Sequence, residues 1–143
     1  MATGMSAGEV RELLERTGPA LLGVVGTLRR DGSPHVVPVW YRWDGEAVRI
    51  WTTEERGWVR NVLRDPRVAF SVQEPQPPFA AVVIHGRAEA RTGSGADVDE
   101  EIRAITRRYI AEEEVEAYVA GWASLRTIVT IRPEHTTGWS RGY

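Results

Sequence analysis

Apolar positions along this chain follow two rhythms, and each predicts an element. Ser6 and Glu9 form a capping-box pair, and Val10, Leu13 and Leu14 then recur at helical spacing until Gly18-Pro19 stops the pattern. The chain opens on a short amphipathic helix. Ala20 to Leu28 is small and apolar, Pro34 to Trp43 is β-branched and aromatic, and Arg30-Asp31-Gly32-Ser33 between them has turn chemistry, so the pair reads as a hairpin. A second turn at Asp44-Gly45-Glu46 leads into Ala47 to Thr52 and completes an antiparallel meander of three strands.

Helical spacing returns with Trp58, Val59, Val62 and Leu63. Thr53 is placed to cap this helix, Glu54 and Glu55 suit its first turn, and Asp65-Pro66 ends it after about three turns. Arg67 to Glu74 reads as a fourth strand, EPQPP as a loop, and Phe79 to Arg91 as a long fifth strand with Gly86 at a bulge or bend. After the TGSGAD loop, Asp97 with Glu100 resembles a second capping box. Val98, Ile102, Ile105 and Tyr109 follow, and Val115, Tyr118, Val119 and Trp122 repeat the theme, so two helices or one kinked helix are expected. Thr127 to Ile131 is a strong last strand, with HTTGW as a further short candidate. Short connections in the order β-β-β-α-β-β-α-α-β favour an antiparallel barrel, mainly β, with helices at its ends and edges. All 143 residues fit a single domain, without internal repeats or a linker.

Composition narrows the function classes. The net charge of −2 offers no general attraction to nucleic acid or anionic lipid, so an anion site has to be local. Cysteine is absent, which removes disulfides, thiolate metal sites and thiol nucleophiles. The first ten residues lack a basic start and an apolar run, and no stretch reaches the ~18 apolar residues of a membrane span, so a cytoplasmic protein is expected. His35, His85 and His135 lack metal-binding spacing, and neither a nucleophile elbow nor a P-loop is present. An enzyme of this composition takes its chemistry from an organic cofactor.

Two features point to where such a cofactor binds. Arg56, Arg60 and Arg64 recur every four residues on one helix face, opposite the Trp58/Val62 stripe, with Thr52 and Thr53 just before the helix. Guanidinium groups and free amides at a helix start make a phosphate cradle, and the same spacing also describes a solvated basic face balanced by Glu54 and Glu55. Pro38, inside HVVPVWY, removes a ladder donor. It belongs on an edge strand or where a planar ring covers the backbone.

These segments carry a resemblance. GTLRRDGSPHVVPVWYRWDGE, the Thr-Thr ending the third strand, RNVLRDPRVAFSV, VVIHGRAEA and IRPEHTTGW together resemble the pyridoxamine 5'-phosphate oxidase-like split-barrel superfamily, and within it the small flavin/deazaflavin-dependent oxidoreductases. The resemblance implies a six-stranded antiparallel split barrel of the FMN-binding type, working as a homodimer on a small-molecule substrate. It implies coenzyme F-420 (a deazaflavin) or FMN lying over Val37, Pro38, Val39 and Trp40, with the phosphate held by Thr52, Thr53, Arg56, Arg60 and, less directly, Asn61. Phe79 or Trp139 of the opposite subunit would cover the ring. Trp58 stands where the family often has a phosphate-binding Lys, so it either joins the core or stacks on a ring. The implied activity is hydride transfer between the cofactor and a conjugated organic substrate. The alternative is a non-catalytic protein that binds a flavin, a deazaflavin or a tetrapyrrole.

Overall fold

A computed structural model describes residues 3–122 and 126–141. Eight strands form one antiparallel sheet: β1 (Thr3–Gly4), β2 (Gly23–Leu28), β3 (Pro34–Val39), β4 (Arg42–Trp43), β5 (Val48–Thr53), β6 (Arg67–Gln73), β7 (Ala80–Gly93) and β8 (Arg126–Ser140). Their order is β3-β2-β6-β7-β8-β5-β4, with β1 added to β8. Four helices, α1 (Ala7–Glu15), α2 (Gly57–Arg64), α3 (Ala96–Thr106) and α4 (Glu112–Ala120), complete the fold. This is the expected mainly antiparallel architecture of a split barrel: β3 and β4 are the two ends of the sheet, although only Trp40 and Tyr41 separate them in the chain. Among the described residues, no helix is long and apolar enough to cross a membrane.

The strand count differs from the six expected because β1 and β4 are two-residue additions at the sheet margins. In the last strand the ladder overrides a proline. Pro133 interrupts the apolar pattern, yet β8 runs unbroken because Pro133 pairs with Gly86 where the register shifts beside His85. A Cβ at Gly86 would lie 2.2 Å from the Arg132 carbonyl oxygen, so the expected bulge needs glycine.

Two helix starts are also corrected. Thr53 does not cap α2, because its backbone pairs with Arg126 as the last rung of the β5–β8 ladder. Arg56 takes the N-cap position without a side-chain hydrogen bond, and the helix is 8 residues long. Gly95, not Asp97, caps α3, at a φ of 134° that few other residues adopt. The Ser6/Glu9 capping box of α1 is present on both sides.

Alternation along the strands sends Val25, Val48, Ile50, Phe70, Val72, Ile84, Val129 and Ile131 inward with α1 and α2. Each such side chain contributes about 1.5–3 kcal/mol when taken out of water. A second apolar cluster joins α3 and α4 through Val98, Ile102, Val115 and Val119, with Trp51 and Ile128 against it. Arg108, in the link between these helices, ties both layers together. Its guanidinium donates to the Arg16 carbonyl at 3.1 Å and to the Tyr41 carbonyl, and lies 4.5 Å over the Tyr41 ring.

Candidate functional site

A cleft of about 460 Å³ opens where β3, β5, α2 and α4 converge. Strand β3 contributes His35, Val37, Pro38 and Val39, with Trp40 following. Its residues alternate, Pro34, Val36 and Pro38 being exposed and His35, Val37 and Val39 half-buried. Among the described residues β3 has a strand neighbour, β2, on one side only, and Pro38 sits opposite Val24. An edge strand tolerates a proline because its outer side needs no ladder donor. The same feature leaves the strand margin open to the cleft.

Thr52 and Thr53 reach the cleft from the end of β5, and Arg56, Gly57 and Trp58 from the start of α2. No acidic residue lies in the first turn of α2. Among the described residues, neither the Arg56 nor the Arg60 guanidinium has an ion-pair or hydrogen-bond partner, although both backbones bond within the head of the helix. The Glu55 carboxyl lies just before them. Hydrogen bonds from its own backbone amide and from the Thr53 side chain hold it below the usual carboxylate range, and Arg56 and Arg60 add a smaller attraction. A carboxylate therefore stands in the field of Thr53, Arg56 and Arg60 at the head of α2.

The opposite wall is aromatic. Trp40 stacks on Tyr109 with centroids 5.0 Å apart and planes 10° apart, and lies 5.4 Å from Tyr118. Trp51 meets Tyr118 and Trp122 edge-on at 5.9 and 5.5 Å. Tyr118 lines the cleft, and burial pushes its phenol up.

The structure thus brings together Val37, Pro38, Val39, Trp40, Thr52, Thr53 and Arg56. Arg60 is exposed on α2 outside the cleft lining. Asn61, expected to hold the phosphate less directly, is engaged within the protein. It is 8% exposed, its Nδ2 donates to Thr27 Oγ1 at 3.0 Å, and its Oδ1 accepts from Arg64 at 2.9 Å. Arg64 also donates to the Leu28 carbonyl at 3.1 Å, so this part of the arginine face fastens α2 to β2. Trp58, 5% exposed, belongs to the core and to the cleft wall at once. Phe79 and Trp139 are half-buried outside the lining of the cleft. Sequence reasoning passed over His35, Trp51, Tyr118 and Trp122. Strand alternation with Val37 places His35 on the cleft side, whereas Tyr118 and Trp122 carry the same spacing as core residues and gave no separate signal.

A family model described as pyridoxamine 5'-phosphate oxidase matches residues 7–140. The chain belongs to this family. Among solved structures, this pyridoxamine 5'-phosphate oxidase family member is similar to a conserved hypothetical protein from Mycobacterium tuberculosis (24% identity, TM-score 0.78, covering 96% of this chain and 86% of that one). It is 31% identical to an F-420 reductase, with a TM-score of 0.68 over 88% of this chain and 94% of that one. A FAD-binding protein from Mycobacterium smegmatis shares the fold at 21% identity and a TM-score of 0.66, covering 99% of both chains. In the pyridoxamine 5'-phosphate oxidase frame, the cleft lies at the open margin of the barrel, between an unpaired strand edge and the head of an inserted helix.

Proposed function

We propose that this chain is an oxidoreductase moving a hydride between a flavin-type cofactor, coenzyme F-420 or FMN, and a small conjugated organic substrate. The observation that carries the reading is the convergence, in one cleft, of an unpaired arginine and hydroxyl donors at one end with an aromatic and aliphatic wall at the other. A ribityl phosphate and a fused ring system need that division. Arg56, Thr52 and the leading amides of α2 would hold the phosphate, with Arg60 adding charge alongside. Val37, Val39 and Trp40 would exclude water from the ring, and Trp51, Tyr118 and Trp122 would border the substrate side. When bound, the cofactor supplies the hydride chemistry, and the chain supplies orientation and a dry wall. The 31% identity to an F-420 reductase supports the deazaflavin over FMN.

The cofactor-binding unit in this reading is a homodimer. The sheet face opposite the core carries Val36, Val24, Gly26, Ala69 and Val83 on neighbouring strands, and Val36 is 66% exposed. Pro38 belongs to that face and to the cleft, so a second copy seated there would border the bound ring.

Calorimetric titration with F-420, FMN and FAD tests the site, and turnover of a quinone and enone panel by the reduced cofactor tests the reaction. Saturable binding with turnover supports the proposal. Binding without turnover supports the non-catalytic flavin- or deazaflavin-binding reading, and no binding of any of the three overturns both of these.

A further inference from the structure

The β2–β3 hairpin is built to hold one arginine in place. Ser33 donates to Asp31 Oδ1 through its amide at 2.9 Å and its hydroxyl at 2.6 Å. The Arg29 amide donates to the Ser33 carbonyl at 2.9 Å, and the Gly32 amide donates to the Arg29 carbonyl at 2.9 Å, with Gly32 at a φ of 83°. From this turn the Arg29 fork reaches along β3. Nη1 donates to the Pro34 carbonyl at 2.9 Å, and Nη2 lies 2.9 Å from His35 Nδ1.

A guanidinium has donors and no acceptor, so Nδ1 of His35 must present its lone pair. In the neutral ring the proton then resides on Nε2. His35 is half-buried on the same side of β3 as Val37 and Val39, and it lines the cleft. Among the described residues no protein group bonds to its Nε2. A donor of fixed tautomer, on a residue that lines the cleft with Arg56 and Thr52, is suited to an oxygen acceptor on the occupant.

We propose that Arg29 locks His35 as the Nε2–H tautomer and that His35 donates this hydrogen bond to an oxygen of the ligand in the cleft. His35 is then a binding residue and Arg29 its positioning residue. The ligand half rests on the cofactor reading above, whereas the tautomer stands independently of it. The acceptor is a phosphate oxygen or an oxygen of the ring and ribityl chain, which offer the same chemistry.

Long-range proton–nitrogen NMR of the histidine rings in ligand-free protein tests the tautomer. A bare Nδ1 and a protonated Nε2 at His35 are expected, with mixed tautomers in Arg29→Met; a protonated Nδ1 in the native chain overturns the proposal. Calorimetric titration of His35→Phe with FMN and with riboflavin tests the ligand half. About three- to tenfold weaker binding is expected, with partial recovery in His35→Gln, whose amide donor reaches toward the Nε2 position. Loss confined to FMN assigns the phosphate oxygen, and equal loss with riboflavin assigns the ring or ribityl oxygen. Native affinity for both in His35→Phe overturns it. A native chain that binds F-420 alone is titrated with it in His35→Phe instead, and one that binds none of F-420, FMN and FAD sinks the cofactor reading and the ligand half with it, while the NMR result still decides the tautomer.

Discussion

Arg56 and Arg64 share a helix and a charge but face opposite tasks. The Arg56 guanidinium at the head of the helix makes no hydrogen bond or ion pair among the described residues, while that of Arg64 is fastened to Asn61 and the Leu28 carbonyl. Substitution should separate the two roles. Arg56→Ala with Arg60→Ala should weaken FMN or F-420 binding by about ten- to a hundredfold, the range for charge-assisted hydrogen bonds, and leave thermal unfolding in place. Asn61→Ala should do the reverse. Removing the buried amide strands Thr27 Oγ1 and Arg64, costing about 1–3 kcal/mol of stability that a lowered Tm reports, with cofactor affinity nearly unchanged. Helical spacing in the sequence located the arginine face but could not divide it, because period alone does not say which part of a face meets another strand. Asn61 shows the same limit: the resemblance implies a less direct role at the phosphate, and only the packing of α2 on β2 reveals its amide's partners, Thr27 and Arg64.

At the scale of elements, one tyrosine joins α1, the β3–β4 link and the segment after α3. Tyr41 is fully buried, donates its hydroxyl to the Leu14 carbonyl at 2.5 Å, and has Arg108 over its ring. Burial pushes its phenol up to about 12, against a partial offset from Arg108. The folded chain therefore keeps a proton that the unfolded chain releases near pH 10. This contribution is whole below pH 10 and disappears as pH rises toward 12, about 2–3 kcal/mol in all. Chemical denaturation at stepped alkaline pH should show that loss, and Tyr41→Phe should be less stable at neutral pH but lose less across the same interval, the raised phenols of Tyr109 and Tyr118 supplying the slope that remains. Strands were the most legible elements, since alternation and turn residues located β2, β5, β6 and β7 to within a few residues, whereas the strand expected over Pro34 to Trp43 stops at Val39 and β5 pairs with β4 and β8, so the expected three-strand meander does not form. Caps and joints were less so. A rung between Thr53 and Arg126 and a bulge opposite Pro133 depend on partners distant in the chain, which local pattern does not encode.

For the whole molecule, the open sheet poses a question of coverage. The face around Val36 carries small apolar residues with Ser71 and His85 among them, and the proposed second copy would lie on it. Val36→Glu places a charge at its centre. Light scattering should then report a monomer where the native chain is a dimer, and FMN or F-420 affinity should fall with dissociation because the cleft loses its outer border. A native chain that is monomeric at the concentrations where it binds cofactor removes the second copy from the site. The antiparallel barrel was readable from the order of elements, but the arrangement of the cleft was not, since Tyr118 and Trp122 reach it only by the docking of α4 beside β5.

The aromatic wall has an optical consequence. Trp40, Trp51, Trp58 and Trp122, four of the six tryptophans in the chain, all border the cleft. An absorbing ring system entering that space would drain their emission by energy transfer, so the intrinsic fluorescence of the protein should dim in step with occupancy. The molecule thus carries its own built-in gauge of filling, readable without label or turnover, and a titration that leaves the indole signal at full brightness would put the chromophore elsewhere.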